Sequence, residues 1–305
     1  MRYYYYFNPF SKQFLFPLGF KKYELFTSFY QAYTFKGKVL WWLWCNVSVF
    51  RKLCQVTKPE QIVPIVQLKK YINNDIIFAF NRGTKGIEQK TSVLGIDLET
   101  KEEFFIKYAN TELARENVNN EGKILKQLAF LEFVPQLKQH INEAEFTFIQ
   151  TSVFKGERVV NQNIERQILG VLKRISSLKV VSKNECHTAL KTCFAHGDFC
   201  PWNMMLNADE LQVYDWEMAQ IYPIGYDLFT YIFQTSFLLT PSKKNRDIIN
   251  ENNELMNNYF VGQDINDWTP YLSAFSAIKL KLETEKDNQR LMSHYKELIK
   301  YVPKA

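Results

Sequence analysis

The sequence predicts an α+β protein: an antiparallel sheet from the middle of the chain, then a mainly helical part, with an aromatic-rich, basic and partly helical extension in front of both. Three observations predict it. Between Ile76 and Gln150, short apolar runs of strand length are bounded by turn residues. From Asn163 onward, apolar residues recur at helical spacing. Residues 1–72 are crowded with aromatic and basic side chains, with helical spacing only in part. Strands grouped ahead of helices indicate α+β, where strict alternation would indicate a parallel sheet. The expected division is an extension over 1–72, a sheet lobe over 73–152 and a helical lobe over 153–305, and 305 residues suffice for all three.

Composition excludes several classes. Hydrophobic residues make up 46% and charged ones 23%, so the chain can bury a core and is not a disordered segment. The five cysteines, Cys45, Cys54, Cys186, Cys193 and Cys200, are odd in number and lack C-x-x-C spacing. That indicates neither a zinc site nor a complete disulfide framework, and a reducing cytoplasm fits. The net charge of +6 is uneven: residues 1–70 hold eleven Lys or Arg against two Glu, or +9, which leaves −3 elsewhere. No recognition motif accompanies the basic part, so nothing indicates a nucleic-acid partner.

The extension begins M-R-Y-Y-Y-Y-F-N-P-F, which lacks the aliphatic core and small-residue cleavage site of a signal peptide. Phe26, Phe29, Tyr30 and Tyr33 follow a helical spacing. The run Val39 to Phe50 is shorter than the ~18–20 residues a membrane-spanning helix needs. Two readings remain: the aromatics pack on the lobes, which is the expectation, or rings and cations together contact a membrane surface from its inner face. Thr57 to Ile72 predicts one helix, with Thr57 and Glu60 as a capping box and Pro59 in its first turn. Asn73-Asn74-Asp75 ends it.

Ile76–Phe80 and Thr91–Leu98 predict a hairpin whose tip carries Gly83, Thr84, Lys85 and Gly86. Glu103 to Tyr108 predicts the next strand, with Lys107 behind three apolar residues, and Asn117 to Leu128 a helix bearing Glu121 beside its apolar stripe. Phe146 to Gln150 is a further strand, and 151–156 a connector. Beyond it, Asn163–Leu178 predicts an amphipathic helix, Ser182 to His187 a polar connection, and 230–305 a set of helices.

The chemistry is concentrated in F-A-H-G-D-F-C-P-W-N-M-M-L, residues 194–206, and L-Q-V-Y-D-W-E, residues 211–217. Asp198 and Asn203 stand five residues apart, and Asp215 follows twelve later behind an apolar strand-like run. Phosphoryl transfer needs a carboxylate to orient or deprotonate the attacking hydroxyl, and further oxygen ligands for metal ions that neutralise phosphate charge. His196, Asp198, Asn203 and Asp215 supply that set in order. Cys200, with no base beside it in sequence, reads as a packing residue.

H-G-D-x-x-x-x-N followed by D-W-E resembles the aminoglycoside phosphotransferase and choline kinase superfamily, relatives of the protein kinases; the likeness runs from about Ile76 to Phe229. It implies a bilobal protein-kinase-like fold, ATP and Mg²⁺, and a small hydroxylated acceptor. It further implies that Asp198 serves the acceptor hydroxyl, His196 braces the loop, and Asn203 and Asp215 ligate the metal. Lys107, held by Glu121 with Glu116 as the competing partner, would steady the phosphates. The loop of Gly83, Thr84, Lys85 and Gly86 would cover those phosphates, though it departs from G-x-G-x-x-G. Main-chain groups near Gln150, Thr151 and Val153 would receive the adenine. Asp227, in G-Y-D-L-F, would brace the active-site loops. The full motif H-G-D-F-x-P-W-N is most similar to members associated with bacterial surface-polysaccharide synthesis, which implies a sugar or sugar-lipid acceptor. The alternatives are choline, ethanolamine or an aminoglycoside as acceptor, a nucleotide-binding pseudokinase, and a membrane-docked scaffold.

Overall fold

The computed structural model describes residues 3–5, 13–30, 34–47, 49, 56–72, 75–83, 85–159, 164–181, 188–208 and 210–301. The chain divides into two compact units, residues 1–122 with 136–153, and residues 123–135 with 154–305.

The first unit is built on an antiparallel sheet of eight strands. Its centre is β4 (Ile76–Asn81), β5 (Lys90–Asp97), β6 (Glu103–Ala109) and β8 (Thr147–Ser152), with β7 (Leu137–Asn142) at one edge. The other edge comes from the part expected to be an extension: β1 (Tyr3–Tyr5), β2 (Phe14–Pro17) and β3 (Val56–Thr57) continue the sheet in the order β3-β1-β2-β4. The apolar run of β4 follows from burial on both faces. Phe78 and Phe80 join one cluster with Ile62, Ile65 and Leu68, while Ile77 and Ala79 join another with Phe16, Phe20, Phe26 and Trp44. Successive residues of a strand point to opposite faces, so residues 3–72 supply cover for both.

Three sequence expectations change here. The single helix over 57–72 is instead strand β3, a 3-10 turn over Pro59–Gln61 and a short helix α3 (Val63–Leu68). Thr57 pairs with Tyr3 in β3, five residues before the N-cap Ile62 of α3, and Pro64, lacking an N–H, sits where a helix can only begin. Asn73 and Asn74 lie outside the described residues. The helix bearing Glu121, α4 (Glu112–Gln127), begins five residues earlier than its apolar stripe suggests, with acidic Glu112 in the first turn. In the extension, α1 (Glu24–Phe29) stops short of Tyr30 and is followed by α2 (Phe35–Asn46), while Tyr33 and residues 182–187 lie outside the described residues.

The second unit carries the site. α5 (Arg166–Ser176) buries Ile168, Val171, Leu172 and Ile175, the stripe its periodicity predicts. β10 (Thr192–Ala195) pairs with β13 (Gln220–Pro223), and β11 (Met204–Asn207) pairs with β12 (Glu210–Val213) and with β9 (Glu157–Arg158). After β13 come α6 (Tyr226–Phe229), a π-helical stretch over Thr230–Gln234, and α7 (Thr235–Leu239). Then follow α8 (Asn245–Val261), α9 (Thr269–Glu285) and α10 (Gln289–Tyr301). Phe229, Phe233, Phe237, Phe275 and Tyr295 pack ring to ring between these helices.

Candidate active site

The β11–β12 hairpin explains why two residues twelve apart in sequence become neighbours. Its register pairs Met204 with Val213, so Asn203 enters and Tyr214 leaves at the same end, where the Tyr214 N–H donates to the Asn203 carbonyl at 3.0 Å. Asp215 follows directly, in a left-handed conformation at φ 70°, ψ 57°. A non-glycine residue held there is strained, and such strain gathers at functional sites because surrounding structure must enforce it. Here the 3-10 turn after it is pinned by buried Trp216, whose indole N–H donates to the Val213 carbonyl at 2.9 Å.

Asp198 is tied to the same hairpin. The Asn203 amide nitrogen donates to the Asp198 carbonyl at 2.9 Å and to its Oδ2 at 2.8 Å. That commits the nitrogen of Asn203 to Asp198 and leaves its Oδ1 as the atom suited to a metal. An amide oxygen and the Asp215 carboxylate form a hard oxygen donor set, which fits Mg²⁺.

His196 is fully buried and acts through both ring nitrogens. Nδ1 accepts from the Asp198 N–H at 3.2 Å, so the proton resides on Nε2, which donates to the Tyr214 carbonyl at 3.0 Å. The ring thereby ties the loop of Asp198 to the strand that delivers Asp215, and Trp216 packs edge-on against it at 4.7 Å. Gly197 is required between them: its φ is +86°, and a Cβ there would stand 2.3 Å from the Met218 carbonyl oxygen. Asp227 takes the bracing role expected of it. Its two oxygens accept from the N–H groups of His196 at 2.7 Å and Gly197 at 2.9 Å. Burial pushes its carboxyl above the usual range, with His196 and these two N–H groups opposing the rise.

Two residues at the site escape a reading of motifs. Gln234, the last residue of the π-helical stretch, donates from Nε2 to Asp198 Oδ1 at 2.6 Å, and π-helical turns recur at functional sites. Lys279, buried in α9, donates to Gln234 Oε1 at 2.9 Å and to the Gly197 carbonyl at 3.1 Å. Both oxygens of Asp198 are thus oriented by amides, one of which is held by a buried cation. The available signal was Lys279 itself, which falls on the stripe of Leu272, Phe275 and Ser276, where a lysine is out of place. Cys200 is buried against Asp198 Oδ1 at 3.7 Å, and burial followed by the Asp198 charge pushes its thiol well up, which fits a packing role.

In the first unit, Lys107 pairs with Glu121 at 2.5 Å, both buried, whereas Glu116 is exposed. The glycine-bearing turn is closed by its own hydrogen bonds. The Gly83 N–H donates to Asn81 Oδ1 at 3.0 Å, and Gln89 Nε2 donates to the Arg82 carbonyl at 2.8 Å. Gly83 has φ +64° with a Cβ position 2.5 Å from the Lys90 oxygen. Lys85 and Gly86 are exposed, and Thr84 lies outside the described residues. Gln150 and Thr151 sit inside β8, whose main chain pairs with β6 on one side and β7 on the other, while Val153 follows the end of the strand.

The sequence profile of the phosphotransferase enzyme family matches residues 165–242, the stretch that contains His196, Asp198, Asn203, Asp215, Asp227 and Gln234. Over that stretch the chain is similar to the phosphotransferase enzyme family. The likeness to the aminoglycoside phosphotransferase and choline kinase superfamily is borne out by this match and by the fold. Among solved structures, amicoumacin kinase hAmiN in complex with AMP-PNP, Ca²⁺ and Ami superposes with TM-score 0.53 at 12% identity, over 78% of this chain and 93% of that one. A Plasmodium vivax ethanolamine kinase superposes with TM-score 0.51 at 12% identity, over 92% of each. At such identities the likeness is one of fold, a sheet-containing first part and a helical second part of kinase type. A search of curated proteins returns no match.

Proposed function

We propose that the protein transfers the γ-phosphoryl group of ATP to a hydroxyl of a small molecule, with a sugar or sugar-lipid as the acceptor class. The observation that carries the reading is the convergence of Asp198, Asn203 and Asp215 on one end of the β11–β12 hairpin, inside the segment that matches the phosphotransferase family. A solved structure of the same fold holds AMP-PNP and Ca²⁺, which supports a nucleotide and a divalent ion here.

In this reading Asp198 accepts the acceptor's hydroxyl proton while the new oxygen–phosphorus bond forms. The bond from the γ-phosphorus to the β–γ bridging oxygen breaks, and ADP leaves. Gln234 and Asn203 fix the rotation of the carboxylate, so one lone pair faces the incoming hydroxyl and little reorganisation remains for the reaction itself. Asn203 through Oδ1 and Asp215 through its carboxylate would hold Mg²⁺, which when bound neutralises charge on the phosphates. Lys107, kept in place by Glu121, is assigned to the phosphates, and the main chain at Val153 to the adenine. Transfer of this kind depends on positioning and charge, with no covalent enzyme intermediate.

The experiment is a panel of sugars, amino alcohols and aminoglycosides scored for Mg²⁺-dependent ADP release. A sugar-type acceptor raising release well above the acceptor-free rate supports the reading. A response confined to amino alcohols reassigns the acceptor, and no response from any member removes the small-molecule assignment.

A further inference from the structure

We propose that the outward face of α2 docks on an anionic lipid surface. The apolar residues of α2 are not confined to one side, as those of a helix at a protein surface ordinarily are. One side is accounted for: Trp41, Trp44 and Cys45 pack on Phe16 and Phe20. The opposite side is not. Phe35, Val39, Trp42 and Asn46 follow the spacing i, i+4, i+7 and i+11 of one helical stripe, and Phe35 is 81% exposed, Trp42 61% and Val39 42%. Large aromatic side chains at such exposure, gathered on one stripe, mark an interaction surface.

Charge selects the occupant. At 100° per residue, Lys36 and Lys38 project on the two sides of this stripe, and both are exposed. A third cation stands at its end, where Lys21 Nζ donates to Asn46 Oδ1 at 3.0 Å. Between residues 13 and 47 the sole acidic residue is Glu24, and residues 1–70 together carry +9. Rings aimed outward between flanking cations suit a headgroup region with anionic phosphates, where rings enter the acyl boundary and ammonium groups meet the lipid charge. Among the described residues no helix is long and apolar enough to cross a membrane, so α2 lies in the plane of the surface. The proposal is independent of the phosphotransfer reading.

The full chain is tested by co-sedimentation with vesicles of phosphatidylcholine alone, and of phosphatidylcholine with phosphatidylglycerol in equal parts. Binding to the anionic vesicles is expected to exceed binding to the neutral ones and to fall with added salt. Phe35→Ser with Trp42→Ser should lower it by about tenfold or more while leaving the melting temperature unchanged, since both side chains are exposed. Lys36→Gln with Lys38→Gln should lower it by about fivefold per cation. Equal binding to both vesicle types, absence of binding to either, or undiminished binding by the aromatic double variant would overturn the proposal. So would a concentration-dependent dimer that the same variant abolishes in the absence of vesicle binding, which would assign the face to a second copy of the chain.

Discussion

Asp198 is the residue on which the others converge, and each neighbour makes a separable prediction. Gln234→Glu would place a second carboxylate within hydrogen-bond distance of Asp198 Oδ1. Like charge disfavours ionisation, so the pH at which turnover fails on the acid side should move upward. A pH–rate profile checks it, and an unmoved acid limb would mean that Asp198 is not the base. Lys107→Met and Glu121→Ala act on the buried pair of the first unit. Removing Glu121 leaves a buried ammonium without its carboxylate, at a cost of about 3–5 kcal/mol. That should appear as a lowered urea midpoint with unchanged slope, and a loss under about 1 kcal/mol would show that the pair behaves as a surface one. Asp227 adds a pH dependence. Its folded pKa is raised, so its contribution to stability is present below the unfolded carboxylate pKa and is lost as pH rises through the folded value. Compared with Asp227→Asn, the natural protein should lose relative stability as pH rises above the ordinary carboxylate range; denaturation midpoints at several pH values measure this. Of these residues, His196, Asp198, Asn203, Asp215 and Asp227 could be named from the sequence because they stand in short ordered motifs, and hydrogen bonds join His196, Asp198 and Asn203 to one another and His196 to Asp227. Gln234 and Lys279 could not be named so, since they reach Asp198 only through the packing of helices 36 and 81 residues away in sequence.

At the scale of elements, the extension separates into faces with different work. Trp44 is 1% exposed in the cluster that covers the sheet, and Trp42, two residues earlier and on the other side of the helix, is 61% exposed. Trp44→Ala should therefore cost about 3–5 kcal/mol, and Trp42→Ala should stay within about 0.5 kcal/mol. Thermal unfolding of the two variants distinguishes them, and equal losses would contradict the assigned packing. The strands β4, β5, β6 and β8 were legible because burial makes them apolar runs. β7, read L-K-Q-H-I-N, was not, because an edge strand with half-buried side chains carries no such run. The helix expected over 57–72 failed for a local reason, the second proline at Pro64, whose missing donor outweighs the capping signature at Thr57.

For the molecule as a whole, strands ahead of helices predicted the α+β class, and the order of motifs predicted the likeness to the phosphotransferase family over residues 165–242. Chain order could not show that β1, β2 and β3 return to the edge of a sheet whose other strands begin at Ile76. Pairing across such distances leaves no periodic trace in sequence. Packing of the aromatic segment and an outward apolar face turned out to be compatible, since one helix presents both. The central claim is that Asp198 serves the acceptor while the nucleotide is held by other groups, and Asp198→Asn tests it most directly. The account predicts acceptor-dependent ADP release reduced by about 10²–10⁴-fold, with Mg·ATP affinity by calorimetry close to that of the natural protein. Retention of transfer within about tenfold, or loss of nucleotide binding in proportion to activity, would contradict it.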